Sequence, residues 1–174
     1  MEFDLHKTLE ILERTPGVLD SLLGGLSQDW TDNNEGSESW SPFDVLGHLV
    51  HGERTDWLPR MELILSEKED KTFEPFDRFA QFRHSKGKTA QELLDEFRAL
   101  RTRNLEAVRA RNLTPEELRL KGFHPSLGEA SLSALLAAWA VHDLNHLAQI
   151  SRVMAWQYRE AVGPWKAYLG ILNA

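Results

Sequence analysis

The chain has 174 residues, a length that suits a single domain spanning residues 1–174 with a core of its own. A net charge of −7 argues against a broad nucleic-acid footprint and against an anionic membrane surface as partner. There is no cysteine, which excludes disulfides, thiolate zinc sites and a cysteine nucleophile, so any metal must be held by His, Asp or Glu.

The N-terminal residues Met1 to His6 are acidic from the start and do not resemble a secretory signal. No apolar run is long enough to span a bilayer, so a cytoplasmic protein with no membrane partner is the expectation. Leu9, Leu12, Leu19, Leu22 and Leu23 form an apolar stripe that predicts a first helix from about Asp4 to Leu26, with Pro16-Gly17 placed to kink it or reset its start. Residues 27–40 read as a loop, from the Asp, Asn, Gly and Ser of residues 31–37.

Ser41 is a good N-cap, Pro42 suits the first helical position and Asp44 complements the helix dipole. A second helix is therefore predicted from Ser41 to about Ser66, with a bend at Pro59. Residues 67–88 read as irregular. Thr89-Ala90-Gln91-Glu92 is a capping-box signature, and the period of Leu93, Leu94, Phe97, Leu100, Leu105 and Val108 carries the third helix on from it.

Thr114-Pro115-Glu116-Glu117 opens a short helix, and Gly122, Pro125 and Gly128 mark a turn-rich connection. The fourth main helix is predicted from about Ser131 to Arg159, broken by Gly163-Pro164. Trp165, Tyr168, Leu169 and Leu172 then form a short amphipathic tail. No strand alternation and no internal repeat is visible. The predicted fold is all-α: a four-helix bundle with a short helix between the third and fourth main helices and a short C-terminal tail.

Chemistry concentrates in two of these helices. His142 and His146 are four apart, which on a helix leaves them about 40° apart and one turn above the other. They share a face with Leu135, Trp139 and Val153. On the second helix His48 shares its face with Ser41 and Thr55, and Gly52 removes side-chain bulk one turn away. Three neutral imidazoles around one divalent ion leave a coordination position open, as a catalytic site requires. The competing explanation is that these are hydrogen-bonded core histidines. Asp143 in place of Glu after His142 weakens a zinc-protease reading.

His51 is either an acid or base beside the site or a partly exposed histidine. Gln149 lies on the metal face and is placed to hydrogen-bond a ligand. Glu53 points too far from His48 to ligate with it. Asp143 and Asn145 read as caps for neighbouring loops, His124 as structural or exposed, and the tryptophans as core and pocket lining. Trp57, Leu58 and Met61 form an apolar excess that invites cover by a second copy.

The segments Ser41-Pro42-Phe43-Asp44-Val45-Leu46-Gly47-His48-Leu49 and His142-Asp143-Leu144-Asn145-His146-Leu147-Ala148-Gln149-Ile150 resemble the second- and fourth-helix signatures of the DinB-like (YfiT-like) superfamily. The tail Val162-Gly163-Pro164-Trp165-Lys166-Ala167-Tyr168-Leu169 resembles a DinB-like ending. The resemblance covers about Leu5 to Leu172. It implies a metal-binding four-helix bundle, often a homodimer, with His48, His142 and His146 matching the ligand positions one by one. Zinc or nickel is the ion it implies first, with iron or manganese also found. It further implies a small-molecule substrate, and in some relatives a thiol transferase or isomerase using bacillithiol or mycothiol.

Three functions compete at this stage. The first is a transferase in which the metal presents a low-molecular-weight thiolate to an electrophile. The second is a hydrolase with a metal-activated water, for which His51 is the best candidate general base. The third is a non-catalytic metal-binding or small-molecule-binding bundle that serves as a stress-response partner.

Overall fold

The computed structural model describes residues 1–36 and 39–173. Ser37 and Glu38, in the expected loop 27–40, and the terminal Ala174 lie outside the described residues. In chain order the elements are α1 (Leu5–Leu23), α2 (Gln28–Asp32), α3 (Pro42–Thr55), α4 (Trp57–Leu65), α5 (Gln81–His84), α6 (Ala90–Ala110), β1 (Lys121–His124), β2 (Gly128–Ser131) and α7 (Leu132–Trp156). The four-helix bundle is made by α1, α3, α6 and α7. Helices α1 and α3 each pack against both α6 and α7.

Local chemistry starts the helices where the sequence pattern places them. Ser41 Oγ accepts from the Asp44 amide at 3.1 Å, and Asp44 Oδ2 accepts from the Ser41 amide at 3.0 Å. This closes a capping box in front of Pro42. Thr89 and Glu92 do the same for α6. Such caps are worth about 1 kcal/mol each, and they also fix the rotational phase of the helix that follows.

Pro16 does not break α1, which continues through it. A proline cannot donate to the carbonyl four residues back, which here is Leu12. That carbonyl instead accepts from Arg101 Nη1 at 2.8 Å. Pro59 acts differently. The second predicted helix is two helices, separated at Asp56 (φ −110°, ψ −69°) rather than bent at Pro59. Ending α3 at Thr55 puts Pro59 in the first turn of α4, where its missing N–H costs nothing.

Five stretches differ from the sequence expectation. Residues 27–40 and 67–88 contain the short helices α2 and α5. The segment after Thr114 is a 3₁₀ turn, Glu117–Arg119, and the C-terminal tail is built from 3₁₀ turns at Gly163–Tyr168 and Gly170–Leu172. The turn-rich connection is a β-hairpin in which Lys121 pairs with Ser131 and His124 with Gly128. Its turn closes on Gly128 at φ +82°, and β1 lies against the irregular segment through Phe73 N–H to the Phe123 carbonyl, 2.8 Å. Gly122 is needed there, since a Cβ would come 2.4 Å from the Phe73 ring.

Two apolar clusters fill the bundle. One gathers Leu12, Trp57, Met61, Leu105, Leu136 and Trp139; the other Leu19, Leu46, Leu49, Phe97, Leu100 and Ile150. Trp57 and Met61 are therefore core, and Leu58 packs against the same cluster, so they form no exposed patch for a second copy.

A layer of buried polar groups falls between the two clusters. Arg101 of α6 sits at this level, 1% exposed, and reaches the other three bundle helices at once. Its Nη1 donates to the Leu12 carbonyl of α1 and to Asp143 Oδ2 of α7 at 2.6 Å; its Nη2 donates to Asp143 Oδ1 at 3.0 Å and to Glu53 Oε1 of α3 at 2.8 Å. Glu53 is further held by Trp139 Nε1–H at 2.8 Å and by the Asn104 amide at 3.0 Å. Buried charge of this kind survives only when its hydrogen-bonding capacity is used. Asp143 is thus a buried structural anion and not a loop cap.

Candidate metal centre

The capping box at Ser41 sets the phase of α3 so that His48, two turns on, faces α7. There it meets His142 and His146, which the helical i, i+4 spacing stacks on one face. The Nε2 atoms of His48 and His142 lie 3.1 Å apart, as do those of His142 and His146. One ligand nitrogen from each of the three imidazoles falls within 4.8 Å of the others. Two nitrogens bound to one tetrahedral ion at about 2.0–2.1 Å would be separated by roughly 3.3 Å, so the spacing suits a shared ion.

Proton bookkeeping points the same way. A neutral imidazole carries one N–H. His146 Nδ1 is 2.8 Å from Gln149 Oε1, an acceptor, so its proton belongs there and its Nε2 carries a lone pair. His142 has at most one N–H, which cannot point at both neighbours. The three rings therefore converge more lone pairs than their protons can satisfy, and a cation is what such a cluster suits.

The histidines are also kept neutral. Burial pushes His48 and His142 down to about 3, with further depression from the mutual repulsion of the imidazoles. Burial lowers His146 as well, while Gln149 and the Asp143 carboxylate work in the opposite sense. Neutral imidazole is the ligating form, so the site does not need to shed protons at neutral pH to take up an ion. The donor set of three nitrogens, with no sulfur or carboxylate, fits a divalent transition-metal ion.

The rings open onto a cavity of about 520 Å³, lined also by Ser39, Trp40, Arg78, Gln149 and Arg152. Trp40 packs on His48 with ring centroids 5.0 Å apart, and Trp57 packs edge-on to His142 at 5.1 Å. Gly52 opens no space at this point, because Trp57 occupies it.

His51 is placed elsewhere. It is buried on α3 outside the cavity lining, with its ring 4.9 Å from Phe76 and 5.4 Å from His84. The Phe76 ring also lies 5.3 Å from His48 and so packs against both histidines. Burial, and then the neighbouring His84, lower the His51 pKa. Glu53, as expected, does not reach the cluster and belongs to the Arg101 network. His124 lies on β1, its Nδ1 accepting from the Ser126 amide at 3.1 Å.

Arg101 was not among the residues singled out from the sequence. Its signal was its place in the α6 stripe, where it continues the spacing Leu94, Phe97, Arg101, Leu105, Val108 as a charge in an apolar row. It touches no metal-site atom, but it grips Asp143, the residue directly after His142.

The model of the DinB superfamily matches residues 11–150 of the chain. Two solved structures share the fold. YfiT from Bacillus subtilis, described as a probable metal-dependent hydrolase with an unusual four-helix bundle topology, matches with a TM-score of 0.76 and 21% identity over 90% of this chain and 87% of that one. TT2238, a four-helix bundle protein, matches with a TM-score of 0.53 and 22% identity over 85% of this chain and 98% of that one. No curated protein matches the chain.

Proposed function

The chain belongs to the DinB superfamily, and on that footing we propose that it is a metal-dependent enzyme acting on a small molecule at His48, His142 and His146. The observation that carries this reading is the convergence of three Nε2 atoms, all from neutral imidazoles, at the base of one cavity. When bound, a divalent ion such as zinc or nickel supplies Lewis acidity, lowering the pKa of a thiol or a water in its open position. The chain's own residues do the rest. Gln149 holds the proton of His146 on Nδ1 and so keeps Nε2 free. Trp40 and Trp57 exclude water from two sides of the ring cluster.

The preferred reaction is transfer involving a low-molecular-weight thiol, bacillithiol or mycothiol being the candidates. What supports it is the cavity lining: among the described residues no carboxylate lines it, and neither does His51. A thiolate nucleophile has no proton left to give up to a base, whereas attack by water is helped by one. Hydrolysis is the second reading, and the likeness to YfiT, described as a probable metal-dependent hydrolase, favours it. In that reaction His51 is the proposed general base, which requires its ring to reach the cavity it does not line. A homodimer is also proposed; exposed Val141 and Leu144 on α7 and Trp165 and Tyr168 in the tail are apolar surface that a second copy would cover.

The deciding experiment measures bound metal by elemental analysis and then assays thiol transfer and ester or amide hydrolysis on the same preparation. Transfer that disappears on chelation and returns with the ion supports the first reading. Hydrolysis without thiol supports the second, and His51→Ala should then slow it about 10²–10⁴-fold with the metal retained. Full activity after exhaustive chelation would sink both.

A further inference from the structure

We propose that Arg78 anchors an anionic group of the substrate, so that the enzyme selects small molecules carrying a carboxylate, sulfonate or phosphate a few bonds from the reacting atom. This rests on the reading above that the three histidines mark the reacting centre.

The cavity carries an unusual charge for this chain. The protein has a net charge of −7, yet among the described residues no acidic side chain lines the cavity and two guanidinium groups do. One of them is already neutralised: Arg152 Nε and Nη2 donate to the two oxygens of Glu35 at 2.7 and 2.8 Å. Arg78 is not. It makes no ion pair or hydrogen bond with any described residue, and its neighbour Asp77 is engaged by Arg83 at 2.6 Å. Instead the Arg78 guanidinium lies over aromatic rings, 5.7 Å from the centroid of Trp40 and 5.5 Å from that of Phe79.

Stacking of this kind holds a guanidinium by its face and leaves its N–H edge free. That edge is the fork that binds a carboxylate or phosphate with two parallel hydrogen bonds. The position is also right. Trp40 packs directly on His48, so the free cation is one ring removed from the cluster, and its charge is among those that depress the His48 pKa. A cavity of about 520 Å³ is the size that small-molecule ligands fill. A substrate with its reacting end at the histidines would present its other end to Arg78.

The test uses isothermal titration of the zinc-loaded protein with 4-mercaptobutyrate and with 4-mercaptobutanol, which share a thiol and differ in charge. Wild type should bind the carboxylate at least tenfold more tightly. Arg78→Gln should lose that preference and keep its zinc, and Arg78→Lys should recover part of it. Equal affinity for the two thiols in wild type, or an undiminished preference in Arg78→Gln, overturns the proposal while leaving the metal reading intact. Should the protein take up no divalent ion, the metal reading fails separately. The ratio for benzenesulfonate against benzyl alcohol on the ion-free protein then decides: a preference lost in Arg78→Gln upholds the anchor, and equal affinities overturn it.

Discussion

Arg101 and Asp143 form a two-pronged ion pair, 2.6 and 3.0 Å, in the centre of the bundle and one residue along α7 from His142. Burial opposes the Arg101 charge, but Asp143 and Glu53 more than offset it and hold its pKa above the usual arginine value. Removing the cation would leave two buried carboxylates without a countercharge. Arg101→Ala should therefore destabilise the fold by about 3–5 kcal/mol, measured by urea denaturation. A loss within about 0.5 kcal/mol, the range of ordinary surface substitutions, would show that the network is not what joins the four helices.

His146→Ala and His48→Ala should each abolish metal retention, because two imidazoles seldom hold a labile divalent ion in a site built for three. The measurement is the metal-to-protein ratio after gel filtration. Retention of a stoichiometric ion in either variant would mean that the ion sits elsewhere.

Gln149→Ala should weaken metal binding about 10–100-fold without abolishing it, since it removes only the group that orients His146 and fixes its tautomer. Competition with a chromogenic chelator reads this directly. Gln149→Glu, which keeps an acceptor, should bind at least as well as wild type.

The ion-free protein should lose stability as pH falls from about 6.5 toward 3. Burial holds the folded pKa values of His48 and His142 down at about 3, below the ordinary imidazole value of 6.5, so in this window the unfolded chain binds more protons than the native one. Each such group makes stability fall by about 1.4 kcal/mol per pH unit on acidification. Asp56 acts in the opposite sense: burial raises it to about 6, so the native state holds the extra proton between about pH 4 and 6 and offsets one histidine there. Denaturation midpoints at pH 7, 6, 5 and 4 measure the slope. A flat profile would contradict the neutral state of the two rings.

Light scattering at micromolar concentration checks the proposed dimer. A dimer mass is expected, and Leu144→Glu should shift it to monomer; a monomer mass across the concentration range would refute it.

The helical parts of this molecule are legible in the sequence because local signals and apolar period agree there. Ser41-Pro42-Phe43-Asp44 predicts the start of α3 and, through the helical period, the inward phase of His48. The two histidines of α7 are readable from spacing alone. The Arg101 network was not, because a wheel assigns directions and not partners: Asp143 falls near the edge of the histidine face, and several arginines crowd α6. Only the interruption of an apolar stripe by Arg101 hints at it. The hairpin escaped for another reason. Its strands are four residues long and each contains a glycine, so no alternation accumulates, and it is the Phe73 segment and α7 that hold it in place. The position of His51 depends on Phe76 and His84, which reach it from a stretch with no regular period.

Pro16 shows how a gap in a helix can be put to use. In an ordinary α-helix every interior carbonyl already accepts a backbone amide, so a buried cation arriving from a neighbouring helix has to share its acceptor. The proline vacates one, at Leu12, and the chain spends it on Arg101. A residue that sequence reasoning treats as punctuation is here a socket, cut into one helix so that a side chain from another can be seated in it. Replacing Pro16 with a helix-forming residue would return the Leu12 carbonyl to α1 and make Arg101 share it, leaving Asp143 and Glu53 as the cation's undivided acceptors.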